Sequence, residues 1–339
     1  MKAFLRKRWF LFLLLFSVGL AWSRPHWLRP ITHALDPRVV VTTALFLIAL
    51  SLESRSLFSS LIRPAPALWA VCISYGALPA LARCAGWLLP DSDLRIGLFI
   101  MASVPCTLAS AVIWTRMAGG NEAAALLGIL LTTGTSWLAT TAWLAWGTDS
   151  AAAAEAPERM RELALVLIVP IGIGQLSRAI RGVVRPVTHY KSVLGVISQL
   201  LIVVMIVRAA VDVGDKLGEK SVPLTATAFL ATAAVCLGTH LAALAGGFWS
   251  SGWLRLGRPN QIAVAFACSQ KTLPVALLLF DSYYKDAYPL AVVPMLFYHA
   301  GQLIADTFVA DTLAHQQPKS SEAFPLPTLT ESLDLESGL

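Results

Sequence analysis

The chain has 339 residues, 56% of them hydrophobic and only 14% charged. A water-soluble domain carries about 25% charged residues, so this composition excludes a surface built for water and points to lipid as the solvent. The formal net charge of +6 would suit nucleic acid, but the basic residues sit in short clusters between apolar runs, as topology determinants and anionic-lipid contacts do. Five cysteines, an odd number without CxxC spacing, predict neither a disulfide framework nor a metal cluster.

A membrane-crossing helix needs about 20 mostly apolar residues. In chain order the candidates are 9–22, 39–52, 67–89, 94–116, 121–147, 163–180, 193–211, 224–250, 260–280 and 288–312. The first follows Lys2, Arg6, Lys7 and Arg8 and competes with a signal peptide. It ends at Trp22 and Arg24 rather than at a small-residue cleavage site, which favours a span. The Ala-rich acidic stretch 148–162, GTDSAAAAEAPERMR, reads as a linker that divides the spans five and five. Five is odd, so residues 1–147 and 163–314 would enter the membrane in opposite senses, the layout of an inverted repeat. Residues 315–339, rich in Pro, Ser, Thr and Glu, read as a disordered tail. With both termini inside, 14 Lys/Arg fall on the cytoplasmic side and 11 outside. The expected location is the inner or plasma membrane, in an N-in, C-in orientation.

The fourth segment carries Ser103, Pro105, Thr107 and Ser110 at its centre, and the ninth carries Ser269, Gln270, Lys271, Thr272 and Pro274. Proline removes a backbone donor and clashes with the preceding turn. Two polar-flanked prolines at corresponding places in two five-span sets predict two broken helices whose freed backbone binds ions and substrate near the midplane. Ordinary membrane-helix prolines are the alternative, and Pro79, Pro170 and Pro294 are such. A cation at the depth of Lys271 costs about 2.5–3.5 kcal/mol on insertion scales, so it should face a polar cavity or a partner. Glu122, at the start of the fifth segment beside Asn121, is a candidate partner; the alternative is a first-turn acid on a helix dipole. Thr132 and Thr133 lie deeper in that segment, where threonines often bond their own backbone. Tyr298, His299, Gln302 and Asp306 make a polar stripe on one face of the tenth segment, expected to point into the bundle. A histidine there could carry protons or simply pin two helices.

The stretches SVPCTLASAVIWTRMAGGNEAAAL, CSQKTLPVALLLF and VPMLFYHAGQL resemble the bile acid:sodium symporter (BASS) family, in particular its sodium/bile acid cotransporter 7-like group. The resemblance covers about 1–315. It implies an all-α, ten-helix fold of two inverted five-helix repeats, with broken helices four and nine crossing in a core and substrate bound between that core and a panel of the other spans. Ser110 matches the serine of the family's sodium-coordinating pair, but Ala111 stands where its asparagine would be. Ala265 and Ser269 replace a carboxylate and a glutamine. These departures remove charged and amide oxygens that a hard cation prefers, which weakens the case for sodium.

The expected function is therefore secondary transport of a small organic anion by alternating access, with sodium or a proton as the coupling ion and no other cofactor. Lys271 would offer a fixed positive charge where other members hold sodium, titrating against Glu122 or His299. A rival of another class is a membrane regulatory or scaffold protein acting through partners, with the tail as its only support. No HExxH, GxSxG or paired-aspartate motif suggests an enzyme.

Overall fold

The computed structural model describes residues 13, 16–17, 19–21, 23–51, 60–108, 110–148, 156–218 and 225–316. Most of the first predicted span, part of the linker and nearly all of the tail lie outside them. Among the described residues the elements are helices alone: α1 (Pro25–His33), α2 (Pro37–Ser51), α3 (Ala65–Leu88), α4 (Ser92–Ser103), α5 (Ser110–Met117), α6 (Glu122–Gly147), α7 (Ala156–Ser177), α8 (Arg181–His189), α9 (Lys191–Gly218), α10 (Ala226–Ser250), α11 (Arg258–Ser269), α12 (Leu273–Leu279) and α13 (Val292–His315).

The protein is a polytopic α-helical membrane protein, but fewer than the ten predicted spans reach the length of a membrane crossing among the described residues. Seven stretches are long and apolar enough to cross a bilayer: α3, α6, α7, α10, α13, Val193–Val211 within α9, and Arg258–Tyr284, which holds α11 and α12. Helix α2 has only 15 residues. The fourth predicted span is two short helices, because the chain is extended at Val104 and non-helical through Pro105 to Thr107. The linker is also shorter than expected, since α7 already begins at Ala156.

Contacts between helix ends fix how the helices run. At one end, Asn121 Nδ2 donates to Asn260 Oδ1 (2.8 Å), Trp69 Nε1 donates to Ser250 Oγ (3.0 Å), and Arg258 donates to Gln316 Oε1 (2.8 Å). At the other, the Leu290 N–H donates to Asp93, Arg38 pairs with Glu162 at 2.6 Å, and Arg208 reaches Asp281 at 3.6 Å. Helices α3 and α10 therefore run in opposite directions. So do α4–α5 and α11–α12, and so do α6 and α13.

Helices α1, α2, α7 and α9 pack on one another, and α3–α6 pack with α10–α13. In the first group Gln175 of α7 and Arg178, just past its end, donate to the Ala49 and Leu50 carbonyls near the end of α2. In the second group residues 262–280 are all buried inside the protein, so the apolar lengths of α11 and α12 meet protein and not lipid. Small residues allow this crowding. A Cβ on Gly247 would lie 2.5 Å from Cys268 Sγ, and one on Gly97 would fall inside contact distance of the Ala291 carbonyl and the Pro294 ring. Near the Asp93 end the two groups are tied together. Ser282 Oγ donates to Glu162 at 3.3 Å, and the Arg159 guanidinium lies 4.9 Å and 5.5 Å from the ring centres of Tyr283 and Tyr284.

Overpacking against a backbone carbonyl costs about 1–3 kcal/mol. Gly97→Ala should therefore lower the thermal melting temperature in detergent, whereas Gly134→Ala, which points into open space, should leave it unchanged or raise it.

Candidate functional site at the helix crossing

A buried helix break leaves backbone groups that must find partners. Where α4 ends, three successive carbonyls are each taken by a different element. Ser103 O accepts from Thr140 Oγ1 of α6 (2.8 Å), Val104 O accepts from Lys271 Nζ (2.9 Å), and Pro105 O accepts from the Thr272 N–H (3.1 Å). The last of these joins the two breaks directly. The Cys106 N–H donates to Thr132 Oγ1 at 3.4 Å.

The second break, at Gln270–Thr272, is served mainly by α13. Gln302 binds Lys271 twice: its Oε1 accepts from the Lys271 N–H (2.9 Å) and its Nε2 donates to the Lys271 carbonyl (3.0 Å). Gln302 Nε2 also meets His299 Nδ1 at 3.0 Å. The Tyr298 hydroxyl donates to Ser269 O at 2.9 Å. Gln270 spans the crossing, accepting from Ser110 Oγ at 2.5 Å and donating to Asp306 Oδ2 at 2.5 Å.

At the centre lies the fully buried Lys271 side chain. An ammonium has three donors, and all three have partners: Ser74 O, Ser74 Oγ and Val104 O, each at 2.9 Å. The Tyr75 ring centre lies 5.2 Å away, within cation–π range. Ser74 and Tyr75 belong to a π-helical turn, Ile73–Ala77, inside α3. The wider turn frees the Ser74 carbonyl for Nζ, the kind of use to which such bulges are often put.

Residues 8–315 match the family described as the SBF-like CPA transporter family. The chain belongs to this family. Its curated relatives include the "Putative symporter YfeH" of Escherichia coli (strain K12), 25% identical over 75% of this chain and 76% of that protein. Two proteins named Sodium/bile acid cotransporter 7 are also similar: that of Mus musculus is 23% identical over 91% of this chain and 93% of its own length, and that of Danio rerio is 24% identical over 61% and 62%. The bile-acid-symporter resemblance and the cotransporter 7-like group are thus the right relatives. The family is one of transporters, which makes this chain a multi-pass transport protein acting on a small solute.

Within this SBF-like chain the predicted residues separate into two sets. Ser103, Pro105, Thr107, Ser110, Thr132, Gln270, Lys271, Thr272, His299 and Gln302 lie at or beside the crossing, whereas Asn121 and Glu122 lie at one end of the bundle. Glu122 is not the partner of Lys271: it pairs with Arg116 at 2.5 Å, and the lysine is held by neutral oxygens. Asn121 caps α6, accepting from the Ala124 N–H at 3.1 Å. Ser103, Thr133 and Ser269 donate to carbonyls of their own helices. Pro274 lies in the first turn of α12, where its missing N–H costs nothing. Thr107 and Ser110 are partly exposed, unlike the other described residues of the two breaks.

Sequence reading missed Ser74, Thr140 and His240. Ser74 acts through its backbone carbonyl as well as its hydroxyl, and no residue pattern announces the former. His240 is one polar residue on an apolar helix, and its partner Asp306, at 2.8 Å, sits 66 positions away. Gln302→Leu should strand the Lys271 N–H and carbonyl, at about 1–3 kcal/mol for each buried group left unpaired. The melting temperature of the purified protein should fall sharply, and less so for Gln302→Glu, which keeps the acceptor.

Proposed function

We propose that this protein is a secondary transporter that moves a small organic anion by alternating access, and that the Lys271 ammonium stands in place of a sodium ion at the helix crossing. The oxygen cage around Nζ carries the reading: three neutral oxygens at 2.9 Å from two different elements suit a monovalent cation. Any second cation would be repelled. At about 4 Å and an effective dielectric of about 20, two unit charges oppose each other by about 4 kcal/mol, roughly a thousandfold in affinity. Lys271 therefore acts through its field and its hold on α3 and the α4–α5 break, and the solute meets Thr107 and Ser110.

Several observations support alternating access. The pairs α3 and α10, α4–α5 and α11–α12, and α6 and α13 run oppositely, as an inverted repeat requires. Two groups of helices that pack chiefly within themselves and meet across a shared apolar core supply the two bodies that rocking needs. The organic-anion class rests on the relatives named sodium/bile acid cotransporter and on the buried positive charge at the crossing. Both termini are placed in the cytoplasm, so a cysteine introduced at position 155 should label only from outside. Labelling solely from the cytoplasm would reverse the topology.

A thermal-stability screen of bile acids, keto acids and sulfated metabolites on purified protein identifies the anion, and its uptake into proteoliposomes then tests the mechanism. Uptake should be equal with and without sodium. Lys271→Met should reduce it at least about tenfold, and Lys271→Arg should restore little, because a planar guanidinium does not fit an ammonium cage. A sodium requirement, or normal uptake by Lys271→Met, would sink the proposal.

A further inference from the structure

Behind the crossing lies a second buried polar system that the Lys271 cage does not use. His240 in α10 and Asp306 in α13 are both fully buried, with Nε2 2.8 Å from Oδ1. The other ring nitrogen, Nδ1, faces the Ser269 carbonyl at 3.3 Å. Asp306 Oδ2 accepts from Gln270 Nε2, and Gln270 Oε1 accepts from Ser110 Oγ. Both imidazole nitrogens therefore face acceptors only. A neutral imidazole has a single N–H. Against a carboxylate and a carbonyl it can satisfy one of them, and the other contact becomes lone pair against lone pair. Both contacts hold together only when ring and carboxylate share one additional proton, as imidazolium with carboxylate or as imidazole with carboxylic acid.

We propose that the His240–Asp306 pair is a proton-binding site holding one exchangeable proton, and that Gln270 transmits its state to Ser110 at the crossing. In the step, the His240 imidazolium beside the Asp306 carboxylate loses one proton to water, leaving a neutral imidazole beside the same carboxylate. The pair thereby goes from neutral to one negative charge. The titratable groups around it are Tyr298 and Cys236 from its own two helices, Cys268 and Lys271 from the α11–α12 chain, and Cys106 from the other break. His299 lies two turns away on the helix of Asp306. When the proton leaves, the ring must release either Ser269 or Asp306. Ser269 ends α11 and directly precedes Gln270, so release of its carbonyl loosens the break, with Tyr298 as the one remaining donor to it that the structure shows. Asp306 continues to hold the Gln270 amide, whose far end holds Ser110. A proton bound deep in α10 and α13 thereby reaches a residue placed to touch the solute.

The meaning of this as coupling rests on the transporter reading, whereas proton binding itself is measured on purified protein without any solute. In a pH jump between about pH 5 and about pH 9, His240→Gln and Asp306→Asn should each release about one proton fewer than wild type. The double variant should lose one and not two, because the proton belongs to the pair. Folded variants releasing the wild-type number would make the pair a static pin between helices and overturn the proposal. Should neither variant fold, the acid-minus-alkaline infrared difference spectrum of wild type decides. It should contain an exchange-protected histidine band that survives His299→Gln, and its absence overturns the proposal. A second arm measures uptake of the screened anion into proteoliposomes under an inward proton gradient, which should accelerate wild type and not Asp306→Asn. An intact proton count in protein that transports none of the anions keeps the site and sinks the transporter reading instead.

Discussion

A lysine nitrogen enclosed in the middle of a membrane protein needs a partner for every hydrogen, and around Lys271 that requirement organises the surrounding helices. Its three donors reach the π-turn of α3 and the last carbonyl before Pro105, so the lysine joins helices nearly two hundred residues apart in sequence. No carboxylate takes part. No acid neutralises Lys271 here; its polar partners are the dipoles of one hydroxyl and two carbonyls.

The two breaks depend on the same economy of partners. Each helix interruption strands backbone groups that lipid cannot satisfy, and each group described here is met by an element that would otherwise have little reason to approach. Thr140 draws α6 to α4, Gln302 draws α13 to the Lys271 backbone, and the Thr272 N–H draws the second break onto the first. Because residues 262–280 are all buried within the protein, the irregular backbone at Gln270–Thr272 never meets lipid, which is the condition under which such backbone is tolerated.

Much of this is legible in the sequence, for identifiable reasons. Prolines among polar residues in otherwise apolar runs give both breaks, and the i, i+3, i+7 spacing of His299, Gln302 and Asp306 gives the buried stripe of α13. Depth alone marks Lys271 as a residue that needs partners. Opposite charge is the wrong guide to them, because the true ligands are a hydroxyl and two carbonyls. Glu122 answers instead to Arg116, six residues away on the same end of the bundle. The π-turn at Ile73–Ala77 could not be foreseen, since its residues ISYGA fit an ordinary helix equally well. His240 escapes for a different reason: a lone histidine on an apolar helix carries no periodic signal until α13 is packed against it.

The order of synthesis gives the lysine cage one more consequence. Ser74 and Val104 leave the ribosome long before Lys271, and chains are built and inserted from the N-terminus onward. When the ninth segment reaches the bilayer, the residues that carry the oxygens its amine needs, in α3 and at the end of α4, have already been made. The lysine can pass from the insertion machinery into a waiting receptor without dwelling in hydrocarbon. A lesion in α3 therefore strikes biogenesis at a distance: with the π-turn misplaced, the charge arrives with nowhere to go, and the quality-control apparatus meets an orphaned helix some two hundred residues downstream of the fault.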